Sequence, residues 1–193
     1  NNSNNSNNLF ELEMKDLKKS IKLDESYFNE IKLKYSNYFE NENNINDINY
    51  LDRLIQNLSS NYTHNTSDQI DKQIDALEFL IVSLNVQWFK LSNFYLIIQT
   101  EIPLASGLGS SASFSTCLAC FFLIIANKIS INDLKNSLND RDLDLINIYA
   151  FYIEKLFHGK PSGIDNSVST YGNYVLFEKG NIVEKFSSGL ELN

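Results

Sequence analysis

Residues 94–126 read FYLIIQTEIPLASGLGSSASFSTCLACFFLIIA and join a strand-like segment to an apolar helix through a glycine–serine loop. Phe94–Gln99 is rich in aromatic and β-branched side chains, which predicts a strand. The run from Ser111 to Ala126 predicts a helix, and the proline and glycines between the two segments predict a tight loop. The loop therefore lies between a predicted strand and the N-terminus of a predicted helix.

The loop itself, residues 103–112 (PLASGLGSSA), has the chemistry of a site for a polyphosphate anion. Glycines let backbone N–H groups converge and let a ligand approach closely. The N-terminus of the following helix adds unpaired N–H groups and the positive end of the helix dipole. Ser110 and Ser111 offer hydroxyls that either cap the helix or bind a metal ion. The loop lacks the Gly-Lys-Ser/Thr of the Walker A pattern, so a glycine-rich connection capped by serine remains the alternative for the loop alone.

A second segment, residues 153–166 (IEKLFHGKPSGIDN), carries two carboxylates around a loop punctuated by Gly and Pro. A helix is predicted over Leu143–Phe157 with a glycine stop just after it, which places Glu154 near its last turn. Asp165 follows eleven residues later, at the start of the next predicted helix. Phosphoryl transfer needs an acidic metal ligand and a group that accepts or orients the acceptor hydroxyl. A solvated Glu and a helix-capping Asp are the alternatives for either residue alone.

Together the two segments resemble the GHMP kinases, a family that includes galactokinase, homoserine kinase, mevalonate kinase and phosphomevalonate kinase. Residues 103–112 are similar to the second motif of that family. Residues 142–154 and the run HGKPSGIDNSVSTYG at residues 158–172 are similar to the mevalonate kinases in particular. The resemblance covers about residues 101–186, is weaker over residues 75–100 and fails in the Asn-rich start.

The resemblance implies an α+β fold, namely the two-layer N-terminal domain of GHMP kinases, which is like domain 2 of ribosomal protein S5, in incomplete form. Residues 9–193 are expected to be part of that domain, with the phosphate loop at 103–112 and a catalytic loop at 158–166. The implied reaction is phosphorylation of mevalonate by ATP with Mg²⁺. The early lysine and the third glycine-rich motif of the family have no counterpart here. We therefore expect a fragment that has no kinase activity alone.

The resemblance also implies a role for individual residues. The ATP phosphates are expected to lie against Ser106, Gly107, Leu108, Gly109, Ser110 and Ser111. Ser111 and Glu154 are expected to bind one Mg²⁺ ion, which requires their side-chain oxygens to approach within a few ångströms. Asp165 is expected to be the catalytic base that accepts the proton of the mevalonate C5 hydroxyl. His158 and Ser162 are expected to shape the catalytic loop.

Charge and cysteine content narrow the classes of function. The net charge of −8 and the pI of about 4.7 argue against a nucleic-acid partner, which favours a basic face. Cys117 and Cys120 have CxxC spacing, but His64 and His158 are distant in sequence, so buried thiols on an apolar helix are predicted rather than a zinc site. The apolar run over residues 117–126 is too short to cross a membrane.

The predicted partners are ATP and mevalonate, and the predicted location is the cytoplasm. Whether the full-length protein forms a homodimer is left open. Two other readings remain open at this point. One is another GHMP kinase, such as phosphomevalonate kinase or galactokinase. The other is a non-catalytic protein of the same fold that only binds a ligand. The family usually has Gly where this chain has Ala105 and Asn173.

The remaining elements are predicted from periodicity and turn residues. Residues 1–8 are almost pure Asn and are expected to be disordered. Helices are predicted over Phe10–Ser20, Ile48–Leu58 and Asp68–Leu84. A β-hairpin is predicted from Tyr174–Phe177 and Ile182–Phe186, with a turn at residues 178–181.

Overall fold

The fold is taken from a computed structural model of the chain, which describes residues 9–39, 47–60, 69–104, 106–172, 174–178 and 181–186. The chain divides into two compact units, residues 1–101 and residues 102–193. The predicted disorder of residues 1–8 and the two departures at Ala105 and Asn173 lie outside the described residues. Within the described chain, no helix combines the length and the apolarity needed to cross a membrane.

The first unit is built around a small three-stranded sheet. Strand β1 (Leu9–Met14) pairs antiparallel with β2 (Lys19–Asp24) and parallel with β3 (Tyr95–Ile98), in the order β2-β1-β3. The strand predicted at Phe94–Gln99 is therefore confirmed.

The helix predicted over Phe10–Ser20 is wrong. Phe10, Leu12 and Met14 are buried and alternate with less buried neighbours, which is the period of two of a strand. A short 3₁₀ turn and Lys18, in the left-handed conformation with φ 51°, reverse the chain into β2. Pairing with β2 and β3 satisfies the backbone of this segment, and Phe10, Leu12 and Met14 share its buried face.

Five helices follow the hairpin in the described part of the first unit: α1 (Glu25–Lys34), α2 (Ser36–Phe39), α3 (Ile48–Ser60), α4 (Gln69–Ser83) and α5 (Trp88–Leu91). The helices predicted over residues 48–58 and 68–84 are confirmed as α3 and α4, whereas α1, α2 and α5 were not predicted. Leu54 of α3 and Leu80 of α4 are wholly buried, so the apolar faces that carried the prediction form the core.

The second unit contains four described helices and a β-hairpin. These elements are α6 (Ser110–Ile125), α7 (Ile131–Asn136), α8 (Asp140–His158), α9 (Ile164–Tyr171), β4 (Tyr174–Glu178) and β5 (Asn181–Phe186). Both long helices and the antiparallel hairpin are as predicted. Helix α8 begins earlier than expected because the Asn139 side chain caps it, accepting a hydrogen bond of 3.0 Å from the Asp142 N–H.

Packing of α6 against α8 and α9 forms the core of this unit. Leu118 and Phe122 of α6 and Tyr149 and Ile153 of α8 are all 0% exposed. Because α8 ends where α6 begins, the C-terminal turn of α8 and the N-terminal turns of α6 and α9 line one cleft. The candidate site lies in this cleft.

The buried-thiol prediction is wrong for Cys117, which is exposed, while Cys120 is half-buried. The helix is so apolar that sequence alone did not show which of its faces is covered. Partial burial still raises the pKa of both thiols. No cluster of three or more His, Cys, Asp or Glu side chains that could hold a metal ion occurs among the described residues.

Candidate active site

The cleft has a volume of about 350 Å³ and is formed entirely within the second unit. Three parts of the chain contribute: the glycine loop with the start of α6, the end of α8, and the loop that leads into α9. Its lining consists of Gly107, Gly109, Ser110, Ser111, Ala112, Glu154, His158, Pro161, Ser162, Gly163, Asp165 and Asn166.

Two helices begin at this cleft, and each begins at a glycine. Gly109 caps α6 with φ 76° and Gly163 caps α9 with φ 84°, a left-handed conformation that other residues adopt at a cost. The first N–H groups of each helix have no intrahelical acceptor and carry the positive end of the dipole. The cleft can therefore hold an anion although the chain carries a net charge of −8.

Glu154 is the buried carboxylate of the site, with only 6% of the residue exposed. Its Oε1 accepts a hydrogen bond of 2.7 Å from Ser111 Oγ and another of 2.7 Å from Ser115 Oγ. The structure thus brings Ser111 and Glu154 to the separation of a few ångströms that the sequence predicted. Ser115 was missed, although its position four residues after Ser111 places both hydroxyls on one helix face.

His158 lies at the end of α8, one turn after Glu154. Its Nε2 is 3.2 Å from Ser111 Oγ and 3.6 Å from Glu154 Oε2, and 56% of the side chain is exposed. The sequence assigned it only to shaping the loop. The structure places it in contact with both predicted metal ligands.

Asp165 lies in the first turn of α9 with an exposed side chain. Its Cβ and Cγ are 3.8 and 4.0 Å from the position that a Cβ on Gly109 would take, so its carboxyl lies against the phosphate loop. The Ser162 hydroxyl accepts a hydrogen bond of 3.3 Å from the Ile164 N–H, at the start of α9. This contact agrees with the predicted position of Ser162 in the loop.

Asn166 anchors the start of α9 and had no role assigned from the sequence. It is 2% exposed, and its Nδ2 donates a hydrogen bond of 2.7 Å to Asn147 Oδ1 on α8. The Ser167 hydroxyl also donates to the Gly163 carbonyl oxygen. The backbone next to Asp165 is therefore tied to the same helix that carries Glu154.

Two of the residues predicted to bind phosphate lie apart from the others. The Ser106 hydroxyl donates a hydrogen bond of 2.6 Å to the Pro103 carbonyl oxygen, which stabilises the turn at the start of the loop. Leu108 is 66% exposed. Neither residue lines the cleft, whereas Gly107, Gly109, Ser110 and Ser111 do.

Comparison with known proteins identifies the family of this chain. Residues 74–173, just over half of the chain, match the N-terminal domain of GHMP kinases. The chain belongs to the GHMP kinase family. The matched range includes every residue that lines the cleft, and the α+β fold predicted for this family domain is confirmed.

Three curated relatives of this GHMP kinase domain are named mevalonate kinase. The chain is 35% identical to mevalonate kinase of Homo sapiens over 119 residues, which is 58% of this chain and 30% of that protein. It is 47% identical to mevalonate kinase of Arabidopsis thaliana over 89 residues, or 45% of this chain and 23% of that protein. It is 38% identical to mevalonate kinase of Candida albicans over 112 residues, or 55% of this chain and 26% of that protein. The chain thus matches less than a third of the length of each of these relatives.

Proposed function

We propose that this chain is the phosphate-binding and catalytic part of a mevalonate kinase, which transfers the γ-phosphoryl group of ATP to mevalonate and yields 5-phosphomevalonate for isoprenoid and sterol synthesis. One observation carries the proposal. The buried Glu154 accepts a hydrogen bond of 2.7 Å from Ser111 Oγ and lines the same cleft as Asp165. The relatives named mevalonate kinase support the choice of substrate.

The residues at Glu154 fit Mg²⁺. Carboxylate and hydroxyl oxygens are hard ligands of the kind that Mg²⁺ prefers, and the ion is usually held by one or two carboxylates together with substrate phosphates. Glu154 and Ser111 provide one carboxylate and one hydroxyl at the edge of an anion-binding cleft. When bound, Mg²⁺ would neutralise charge on the phosphates. A buried carboxylate whose hydrogen-bond donors are two serine hydroxyls also favours a cation in the site.

The other residues of the cleft would bind the ATP phosphates and orient the acceptor hydroxyl. The N–H groups at the start of α6 would hold the ATP phosphates, because they have no intrahelical acceptor. Asp165 is exposed and beside Gly109, so an acceptor hydroxyl placed next to the phosphates would lie within reach of its carboxylate. Asp165 would then take the hydroxyl proton as the oxygen attacks phosphorus. Sparse free cysteines suit a reducing compartment such as the cytoplasm.

A substrate panel with the full-length protein tests the proposal. We expect ADP release from ATP with mevalonate as acceptor, at a kcat/KM at least about 10²-fold above that with phosphomevalonate, galactose or homoserine. Preference for one of the other acceptors would make the protein a different GHMP kinase. Nucleotide binding without turnover of any acceptor would favour a ligand-binding protein of the same fold.

A further inference from the structure

Ser115 makes the same hydrogen bond as Ser111, one helical turn further into the protein. Both hydroxyls donate to Glu154 Oε1 at 2.7 Å. The two serines are four residues apart on α6, so they lie on the same side of the helix. One oxygen of one carboxylate is therefore held by two neutral donors.

The two serines differ in their access to the cleft. Ser111 lines the cleft and is partly exposed, so it can contact a bound ligand. Ser115 is 0% exposed and does not line the cleft. Its hydroxyl therefore cannot bind a ligand in the cleft, although it contacts the carboxylate that would.

We propose that Ser115 is a positioning residue that holds the Glu154 carboxylate in the orientation needed for metal binding; this inference rests on the proposed function. If Ser111 turns its oxygen toward a cation, its hydrogen bond to Glu154 changes, and the bond from Ser115 remains. A fixed donor behind a ligating carboxylate keeps that ligand oriented. Loss of such partners typically weakens metal binding by 10- to 100-fold.

A purely structural role for Ser115 would follow a different pattern. Buried serines in helices commonly donate to the carbonyl oxygen one turn earlier. Ser83 of α4 does so, since its hydroxyl donates to the Phe79 carbonyl oxygen, and it is 5% exposed. Ser115 instead reaches across to a carboxylate on another helix, 39 residues away. Ser83 is therefore a matched control for the loss of a buried serine hydroxyl.

The test measures metal binding directly in the full-length protein. The variants are Ser115→Ala, Ser115→Thr and Ser83→Ala, and the readout is the dissociation constant of Mn²⁺ in the presence of ADP, from electron paramagnetic resonance. Unfolding temperatures are measured in parallel. We expect Ser115→Ala to weaken Mn²⁺ binding by about tenfold or more. Ser115→Thr keeps the hydroxyl and is expected to stay within about threefold of the unmodified protein, as is Ser83→Ala.

Several results would overturn the inference. Mn²⁺ binding by Ser115→Ala within twofold of the unmodified protein would show that Ser115 only fills space. Equal weakening in Ser115→Ala and Ser83→Ala would show a general effect of lost stability. Failure of the proposed function alone would look different, because the unmodified protein would then not turn over mevalonate while Ser115→Ala would still lose Mn²⁺ affinity.

Discussion

Glu78 in the first unit and Glu154 in the second are both 6% exposed, yet their partners differ in kind. Glu78 Oε1 accepts a hydrogen bond of 2.7 Å from the Tyr27 hydroxyl. Its Oε2 accepts one of 2.9 Å from the Tyr35 hydroxyl and one of 3.2 Å from Lys34 Nζ. The negative charge of Glu78 is thus matched by a lysine and two phenols within the folded unit.

Glu154 has no comparable lysine among its partners in the described structure. Two serine hydroxyls donate to its Oε1, and the partly exposed His158 lies 3.6 Å from its Oε2. A buried carboxylate held by neutral donors at the edge of a cleft is suited to receive a cation from outside. Burial alone therefore does not distinguish a structural carboxylate from a functional one. The partners of the carboxylate and its access to a cleft do.

The largest effect is expected at Asp165, the exposed carboxylate of the cleft that Glu154 also lines. Asp165→Asn keeps the size of the side chain but removes the base. We expect kcat of the full-length protein to fall by about 10²–10⁴-fold, while the KM for ATP changes much less. The measurement is steady-state ADP release, with unfolding temperature recorded in parallel. A stable variant that turns over within a few-fold of the unmodified protein would remove Asp165 from the mechanism.

The proposed difference between the two buried glutamates is tested by Glu154→Gln and Glu78→Gln. Glu154→Gln keeps an oxygen that can accept from the serines but removes the charge, so we expect kcat/KM to fall by about 10²-fold with little change in stability. Glu78→Gln breaks a satisfied charged network, so we expect a loss of about 2 kcal/mol in the free energy of unfolding and nearly unchanged turnover.

Steady-state kinetics and urea unfolding of both variants provide the measurement. Each variant is the control for the other, since the same substitution is made at the same degree of burial. If both variants lost mainly stability, or both lost mainly activity, the distinction between the two glutamates would be wrong.

A smaller effect is expected from Asn147, which holds Asn166 next to Asp165. Asn147→Ala removes the acceptor of the 2.7 Å hydrogen bond. We expect kcat to fall by about tenfold, because misplacement of a reacting group slows the reaction. Tyr171→Phe is the control, since it removes another hydrogen bond between α9 and α8, from Tyr171 to Asp144. Equal losses of kcat in the two variants would contradict a specific role for the asparagine pair.

The smallest effect concerns the alkaline stability of the Glu78 network. Burial, followed by the hydrogen bond to Glu78, raises the pKa of Tyr27 above its ordinary value of about 10. Above that pH the unfolded chain releases the phenol proton while the folded chain retains it, so stability falls as pH rises. Tyr27→Phe should make this fall shallower in urea unfolding between about pH 8 and 11. Tyr95→Phe, at a tyrosine that is 56% exposed, is the control, and identical slopes in all three proteins would refute the prediction.

Local signals in the sequence predicted much of the second unit. Pro103 and the glycines that follow it indicate a loop, and the helical periodicity of α8 is strong. Both the phosphate loop and α8 were therefore predicted. In the first unit, the alternation of Phe10, Leu12 and Met14 is confined to the six residues of β1, which is too short to distinguish a strand from a helix by its sequence. A strand this short is defined by the strands with which it pairs, and β3 lies more than eighty residues away.

The candidate site was predicted in part. The approach of Ser111 to Glu154 followed from the expectation that one ion binds both residues. Ser115 was not assigned to Glu154, although its spacing of four residues from Ser111 places the two hydroxyls on one face of α6. The prediction for Cys117 was wrong because the sequence does not show which face of the apolar part of α6 is covered. A helix that is apolar on all sides does not reveal its covered face to the sequence.

Asn147 and Glu154 are seven residues apart on α8, which is about two helical turns and nearly the same face. Asn147 accepts the hydrogen bond from Asn166, the neighbour of Asp165, and Glu154 is the buried carboxylate. A hinge movement that displaced α8 as a rigid body would therefore carry both acidic groups together. Any such displacement would leave the spacing between Glu154 and Asp165 almost constant.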